Sequence, residues 1–191
     1  MSNDMKKLSY DWVAGKSSEI DTASDCYCGT RDIFQARLGR MINNLLVNNN
    51  IKEKKVYLVS AVAGEIGNNS FDHNLGNWPD IMGIFFIYGF VGNKLKIILA
   101  DRGQGVLRTL KRVKPELKDD SEALKTAFTE RISGRAPEAR GNGLKFSKES
   151  VEKENMKLLF TSGNARVELN KKMKIKQIDK NVKGCLAILT A

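Results

Sequence analysis

The sequence predicts an α+β domain in which helices lie on one face of a mainly antiparallel sheet. Three observations predict it. Two helical patterns open the ordered part of the chain; two strand-like runs joined by a Gly-Asn turn follow; and after a charged, interrupted stretch one more helix precedes three closing strands. A length of 191 residues suits one well-buried domain and is short for two.

Taken in order, residues 1–30 are rich in Ser, Asp and Thr and show no sustained periodicity, so they read as a loosely structured lead-in with one short edge strand. The domain proper is expected to span 31–191. From Arg31 the residues Ile33, Phe34, Leu38, Met41, Ile42, Leu45 and Leu46 recur at helical spacing, and Asn48 to Asn50 end the helix. A second helix is expected from about Lys55 to His73, stopped by Gly76 and Pro79. Ile81 to Phe90 and Lys94 to Ala100 are dense in β-branched and aromatic side chains, and the intervening Gly92-Asn93 predicts an antiparallel hairpin. Residues 106–140 are charged and broken, a long mobile insertion with a helical piece around Glu122 to Phe128. Gly143 to Glu154 reads as a helix. Lys157 to Thr161, Arg166 to Leu169 and Gly184 to Thr190 read as strands, the first two joined by a turn at Ser162-Gly163-Asn164.

Composition narrows the function classes. Hydrophobic residues at 41% and charged residues at 28% match an ordinary soluble protein. No apolar run approaches the ~20 residues of a membrane span, and the opening MSNDMKKLSYDW lacks the apolar core of a secretory signal, so a cytoplasmic location is expected. Cys26 and Cys28 lack the CxxC spacing of a zinc or redox pair, and with Cys185 they read as reduced thiols. The net charge of +10 implies an anionic partner. Two clusters carry much of it: Arg108, Lys111, Arg112 and Lys114, then Lys171, Lys172, Lys174 and Lys176. Neither is interleaved with aromatic residues, which argues against single-stranded nucleic acid, and the second reads as a solvated face.

Three constellations carry chemistry. On the second helix Glu65, Asn69 and Asp72 fall on one face, beside the apolar stripe of Val59, Val62, Ala63 and Ile66 and not opposite it. Polar groups there sit at the rim of the core. An amide oxygen suits Mg²⁺ and a carboxylate can orient or deprotonate a nucleophile; taken alone, the trio reads first as a satisfied helix flank. Next, Asp101-Arg102-Gly103-Gln104-Gly105 closes a strand, where glycines allow a sharp turn and close backbone approach to a ligand. Last, Arg140-Gly141-Asn142-Gly143-Leu144 opens a helix whose free N–H groups suit phosphate oxygens. The chain has no GxxxxGK[ST] and neither glycine pair completes GxGxxG, so P-loop and Rossmann readings are unsupported.

ExxxN, DxGxG, a long insert and GxGL, in that order, resemble the N, G1 and G2 boxes of the GHKL ATPase superfamily across about residues 31–190. The resemblance implies the Bergerat ATP-binding fold, a two-layer sandwich on a mainly antiparallel, mixed sheet. It implies ATP and Mg²⁺ as ligands, with Asn69 on the metal, Glu65 as general base, and Asp101 accepting from the adenine amine. Gly103 and Gly105 would make room for the base, and Gly141, Asn142, Gly143 and Leu144 would approach the phosphates. Residues 106–140 would be the ATP lid, with Arg131, Arg135 and Arg140 as phosphate contacts, and Asp72 and His73 would line the pocket. In length and Glu-xxx-Asn-xxx-His spacing the chain is most similar to anti-sigma factor serine kinases, and it lacks the phosphoacceptor segment of a histidine kinase. The expected function is therefore ATP hydrolysis or transfer of the γ-phosphate to a Ser or Thr of a partner protein. A non-catalytic module gated by ATP is the alternative, which the presence of Glu65 disfavours; a nucleic-acid role rests on charge alone. The resemblance is compatible with a homodimer. Two residues depart from the family pattern: Ser70 follows Asn69 where Ala is usual, and Gly67 interrupts the helix at ~1 kcal/mol relative to Ala.

Overall fold

The computed structural model describes residues 2–48, 51–132 and 143–191. Five strands, β1 (Tyr27–Cys28), β2 (Ile84–Val91), β3 (Lys94–Asp101), β4 (Lys157–Leu169) and β5 (Met173–Thr190), form one open sheet in the order β1-β2-β3-β5-β4. Every pairing in it is antiparallel. The expected mixed sheet is thus corrected: the described strands contain no parallel pair. The β2–β3 hairpin turns at Gly92-Asn93, where Gly92 takes a φ of 58° that side chains resist.

Alternation along the strands gives the sheet two apolar faces. Ile84, Phe86, Ile97, Leu99, Ala187 and Leu189 point to the side covered by α2 (Arg31–Val47) and α3 (Glu53–Asn74), with α5 (Asp120–Thr129) and α6 (Gly143–Lys153) packed beside them. Phe85, Ile98, Ala100, Leu186 and Ile188 point the other way, onto α1 (Ser2–Ala14) through Met5, Trp12 and Val13. The loosely structured lead-in is therefore corrected to a helix on the back of the sheet, followed by the expected edge strand. Its apolar stripe was hidden because Ser9 occupies a fully buried position in it, its hydroxyl donating to the Lys6 carbonyl at 2.8 Å. No helix among the described residues is long and apolar enough to cross a membrane.

Two further expectations change. The first two-thirds of the 106–140 insertion is ordered structure: α4 (Gly105–Leu110) and α5 enclose a small core of Leu110, Leu117 and Ala123. And Ser162-Gly163-Asn164 is no turn. β4 runs straight through it with a bulge, because the Asp120 carboxylate at the start of α5 lies where a Gly163 side chain would be and accepts from the Asn164 amide at 3.0 Å. The true turn lies between Leu169 and Met173, so the second basic cluster occupies the tip of the β4–β5 hairpin, where Lys176 pairs with Glu168 at 2.8 Å.

Helices α2 and α3 run antiparallel in tight register. Phe34 lies against Gly67, Leu38 against Gly64, and Gln35 donates to Asn68 at 2.7 Å. A Cβ on Gly67 would overlap the Phe34 ring, which accounts for the glycine inside this helix. Gly67→Ala gains ~1 kcal/mol of helix propensity but overpacks the helix pair by about 1–3 kcal/mol. Thermal unfolding of the variant should show a lower Tm than wild type; a rise would mean the two helices can move apart freely.

Candidate functional site

One cavity of about 550 Å³ opens between α3, the end of β3, α4 and the start of α6. Its apolar floor is made by Ile66, Leu99, Val106, Phe160 and Ala187. Around that floor stand Glu65, Asn69, Asp72, His73, Asp101, Gly105, Gly143 and Leu144, so eight of the residues singled out from sequence meet on one space. Arg135, Arg140, Gly141 and Asn142 lie outside the described residues. Arg131 is exposed, beside the cavity-lining Ile132.

Asp101 is the most enclosed polar group in the cavity, at 2% exposure. Its Oδ2 accepts from the Ser70 hydroxyl at 2.7 Å and its Oδ1 from the Gly103 amide at 2.8 Å. Burial pushes its carboxyl above the ordinary carboxylate value, and these two hydrogen bonds act against that shift. Ser70, where the resemblance expects Ala, is thus an α3 hydroxyl holding the strand-end acid. Beside them, burial and the Asp101 charge push the Cys185 thiol well above its ordinary value, so it lines the cavity as a neutral group. All three cysteines are free thiols.

The glycines divide their work differently from the expectation. Gly103 does not face the cavity. The buried Asn74 fills the space a side chain there would take, and its amide bridges the helix to the loop, donating to the Ser70 carbonyl at 2.7 Å and accepting from the Gln104 amide at 2.8 Å. Gly105 faces the cavity with a φ of 76° and starts α4. Gly184 takes a φ of 66° on β5, and any side chain on it would strike the Asp101 carboxylate and the Gly103 amide. Nothing in its local sequence marks that role, because the contact joins strands far apart in the chain.

At the other side of the cavity α6 begins directly against α3. A Cβ on Gly143 would lie 2.6 Å from Glu65 Oε2 and 3.1 Å from Asn69 Nδ2, so this helix start sits directly against the carboxylate and amide. Asp72 forms an ion pair with Arg31, the first residue of α2, and Arg31 lines the cavity as well. Glu65 and Asn69 present hard oxygen donors, the set that suits Mg²⁺ when phosphates and water fill the rest of its shell. Among the described residues no group of three or more His, Cys, Asp or Glu side chains is placed to hold a metal ion alone.

Behind the cavity, Arg102 is fully buried on the α1 side of the sheet. Its Nε donates to Asp80 at 3.0 Å, and its Nη1 donates to the carbonyls of Trp12 and Gly15 at the end of α1. The Arg102 hydrogen bond is the main reason the Asp80 carboxyl lies below its ordinary value. No family model matches the chain, and a search of curated proteins returns no significant match.

The Asp80–Arg102 pair has a defined pH signature. Because the Asp80 pKa is depressed on folding, its stabilisation is present above the ordinary value of 3.8 and lost as pH falls through the lower folded value. Asp80→Asn leaves the Arg102 guanidinium buried without its carboxylate and should cost about 3 kcal/mol at neutral pH. Denaturant unfolding of both proteins from pH 7 down to 3 should show the gap closing at the acid end. A gap that is constant with pH would separate the cost from this ion pair.

Proposed function

We propose that the chain is an ATP-binding protein of the GHKL type, which hydrolyses ATP or transfers its γ-phosphate to a Ser or Thr of a partner protein in the cytoplasm. The observation that carries this reading is the meeting of three separate sequence motifs on one cavity: Glu65 and Asn69 from α3, Asp101 from the end of β3, and Gly143 at the start of α6. No composition or local pattern requires these to converge. The α+β sheet with α2 and α3 on one face supports the Bergerat fold in outline.

The residues divide into two ends. Asp101, fixed by Ser70 and Gly103, offers acceptor oxygens above an apolar floor, where a flat base with an exocyclic amine fits. Glu65, Asn69 and the opening of α6 form the polar end, where helix N–H groups favour phosphate oxygens. Ser70 and Glu65 are five residues apart on the helix, about 7.5 Å along its axis. Glu65 would accept the proton of an attacking water or hydroxyl, and the amide oxygen of Asn69 would hold Mg²⁺. Mg²⁺, when bound, supplies neutralisation of the phosphate charge. The lining residues described carry three carboxylates, Glu65, Asp72 and Asp101, against the single guanidinium of Arg31. A bare polyphosphate is repelled by such a wall, and a metal complex is not.

Calorimetric titration with ATP and ADP, with and without Mg²⁺, tests the reading. Wild type should bind both, more tightly with the metal. Asp101→Asn should weaken binding by about 10–100-fold, the worth of a hydrogen bond to a charged group. Glu65→Ala should keep binding and lose turnover by ~100-fold or more. Retained binding with no turnover in wild type would favour the non-catalytic module, and no binding by the folded protein would remove the assignment.

A further inference from the structure

We infer that Arg31, at the first turn of α2, is a ligand-binding residue of the cavity that contacts the phosphates, with Asp72 as its positioning residue; this rests on the nucleotide reading above. Four observations support it. Arg31 carries the only permanent positive charge among the described lining residues. It does so at a costly place, because the first turn of a helix repels cations, and a residue needed only for helix formation would not be basic there. Its side chain is 47% exposed while its partner Asp72 is 17% exposed, so the carboxylate holds one side of the guanidinium and leaves donors facing the opening.

The fourth observation is where it stands. Asp72 lies on the same helical stripe as Glu65 and Asn69, at spacings of four and three residues. Ser70, which carries Asp101, is rotated by about 100° around the helix from Asn69. Arg31 is therefore held one helical turn beyond Asn69, on the face of α3 that carries Glu65 and Asn69 and turned away from the face of Ser70. Its place is fixed by the packing of the helix pair: Phe34 on Gly67, Gln35 on Asn68 and Leu38 on Gly64 hold α2 in one register against α3. That register sets Arg31 opposite Asp72. A fork of donors held on one side by a carboxylate suits a planar or tetrahedral oxyanion on the other.

The test compares ATP, ADP and adenosine binding to wild type, Arg31→Ala and Arg31→Lys by calorimetry in the presence of Mg²⁺. Arg31→Ala should lose about 10–100-fold in affinity for ATP and ADP and change by less than about twofold for adenosine. Arg31→Lys should recover part of the loss, since it restores charge without the fork. Retained adenosine binding also shows that the variant's cavity is folded. If Arg31→Ala binds ATP as tightly as wild type does, or loses ATP and adenosine equally, the inference is overturned while the nucleotide reading stands. If wild type binds no nucleotide at all, the nucleotide reading fails and takes this inference with it.

Discussion

Strand β3 ends on Asp101 and Arg102 follows it; these two consecutive charged residues are both buried, and they sit in opposite layers of the protein. Asp101 enters the space under α3, and Arg102 enters the layer under α1. A buried charge without partners costs several kcal/mol, comparable with a large share of a domain's total stability of about 5–15 kcal/mol. The fold has therefore to deliver partners to both. Ser70 comes from α3 and the Gly103 amide from the loop itself. Asp80 comes from the α3–β2 connection, and the Trp12 and Gly15 carbonyls from the end of α1. Gly184 on β5 lacks a side chain where one would block the acid. Both helical layers and the neighbouring strand are thus tied to one dipeptide, and the cavity inherits its back wall from that arrangement.

The same dipeptide explains why the two faces of the sheet need not be equal. The α3 side carries the larger core and the cavity, whereas the α1 side is a smaller apolar layer closed by the Arg102 hydrogen bonds. A short helix packed mainly through Met5, Trp12 and Val13 has a limited apolar face. Anchoring the carbonyls at and just beyond its C-terminal end to a buried cation satisfies groups that a helix end leaves open. In this way a motif read from sequence as a ligand loop also fastens the terminus on the far side of the sheet.

How much of this was legible follows from the range of each interaction. Helices α2 and α3 and the β2–β3 hairpin show their periods and turn residues locally, and they stand close to where the sequence puts them. Helix α1 was missed because Ser9 breaks its apolar stripe while satisfying its own hydroxyl within the helix. The bulge in β4 reads as a turn until Asp120, 44 residues before Asn164, is placed against it. At the site, Glu65, Asn69 and Asp72 were legible because a helix fixes their common face. Arg31 was not, since its contact with Asp72 spans 41 residues and depends on the register of two helices. Gly67 was visible as an oddity, but its cause, the Phe34 ring, is likewise a partner on another helix.

The distribution of charge completes the argument about ligand. The chain carries +10 overall, yet the described wall of its cavity is acidic, with three carboxylates and one guanidinium. Bulk positive charge draws anions toward the surface over distances of a Debye length, about 8–10 Å at ordinary salt, and it does so without selectivity. Entry into the cavity sets a second and opposite condition, since the carboxylates reject an anion that arrives uncompensated. Of the basic side chains outside the cavity, Arg112 donates to Gln104, and Lys114 and Lys176 are engaged by Glu130 and Glu168. On the proposed reading the ligand must therefore bring its own cation, and the protein selects the metal complex of a polyphosphate over the free polyphosphate through the carboxylates that its net charge conceals.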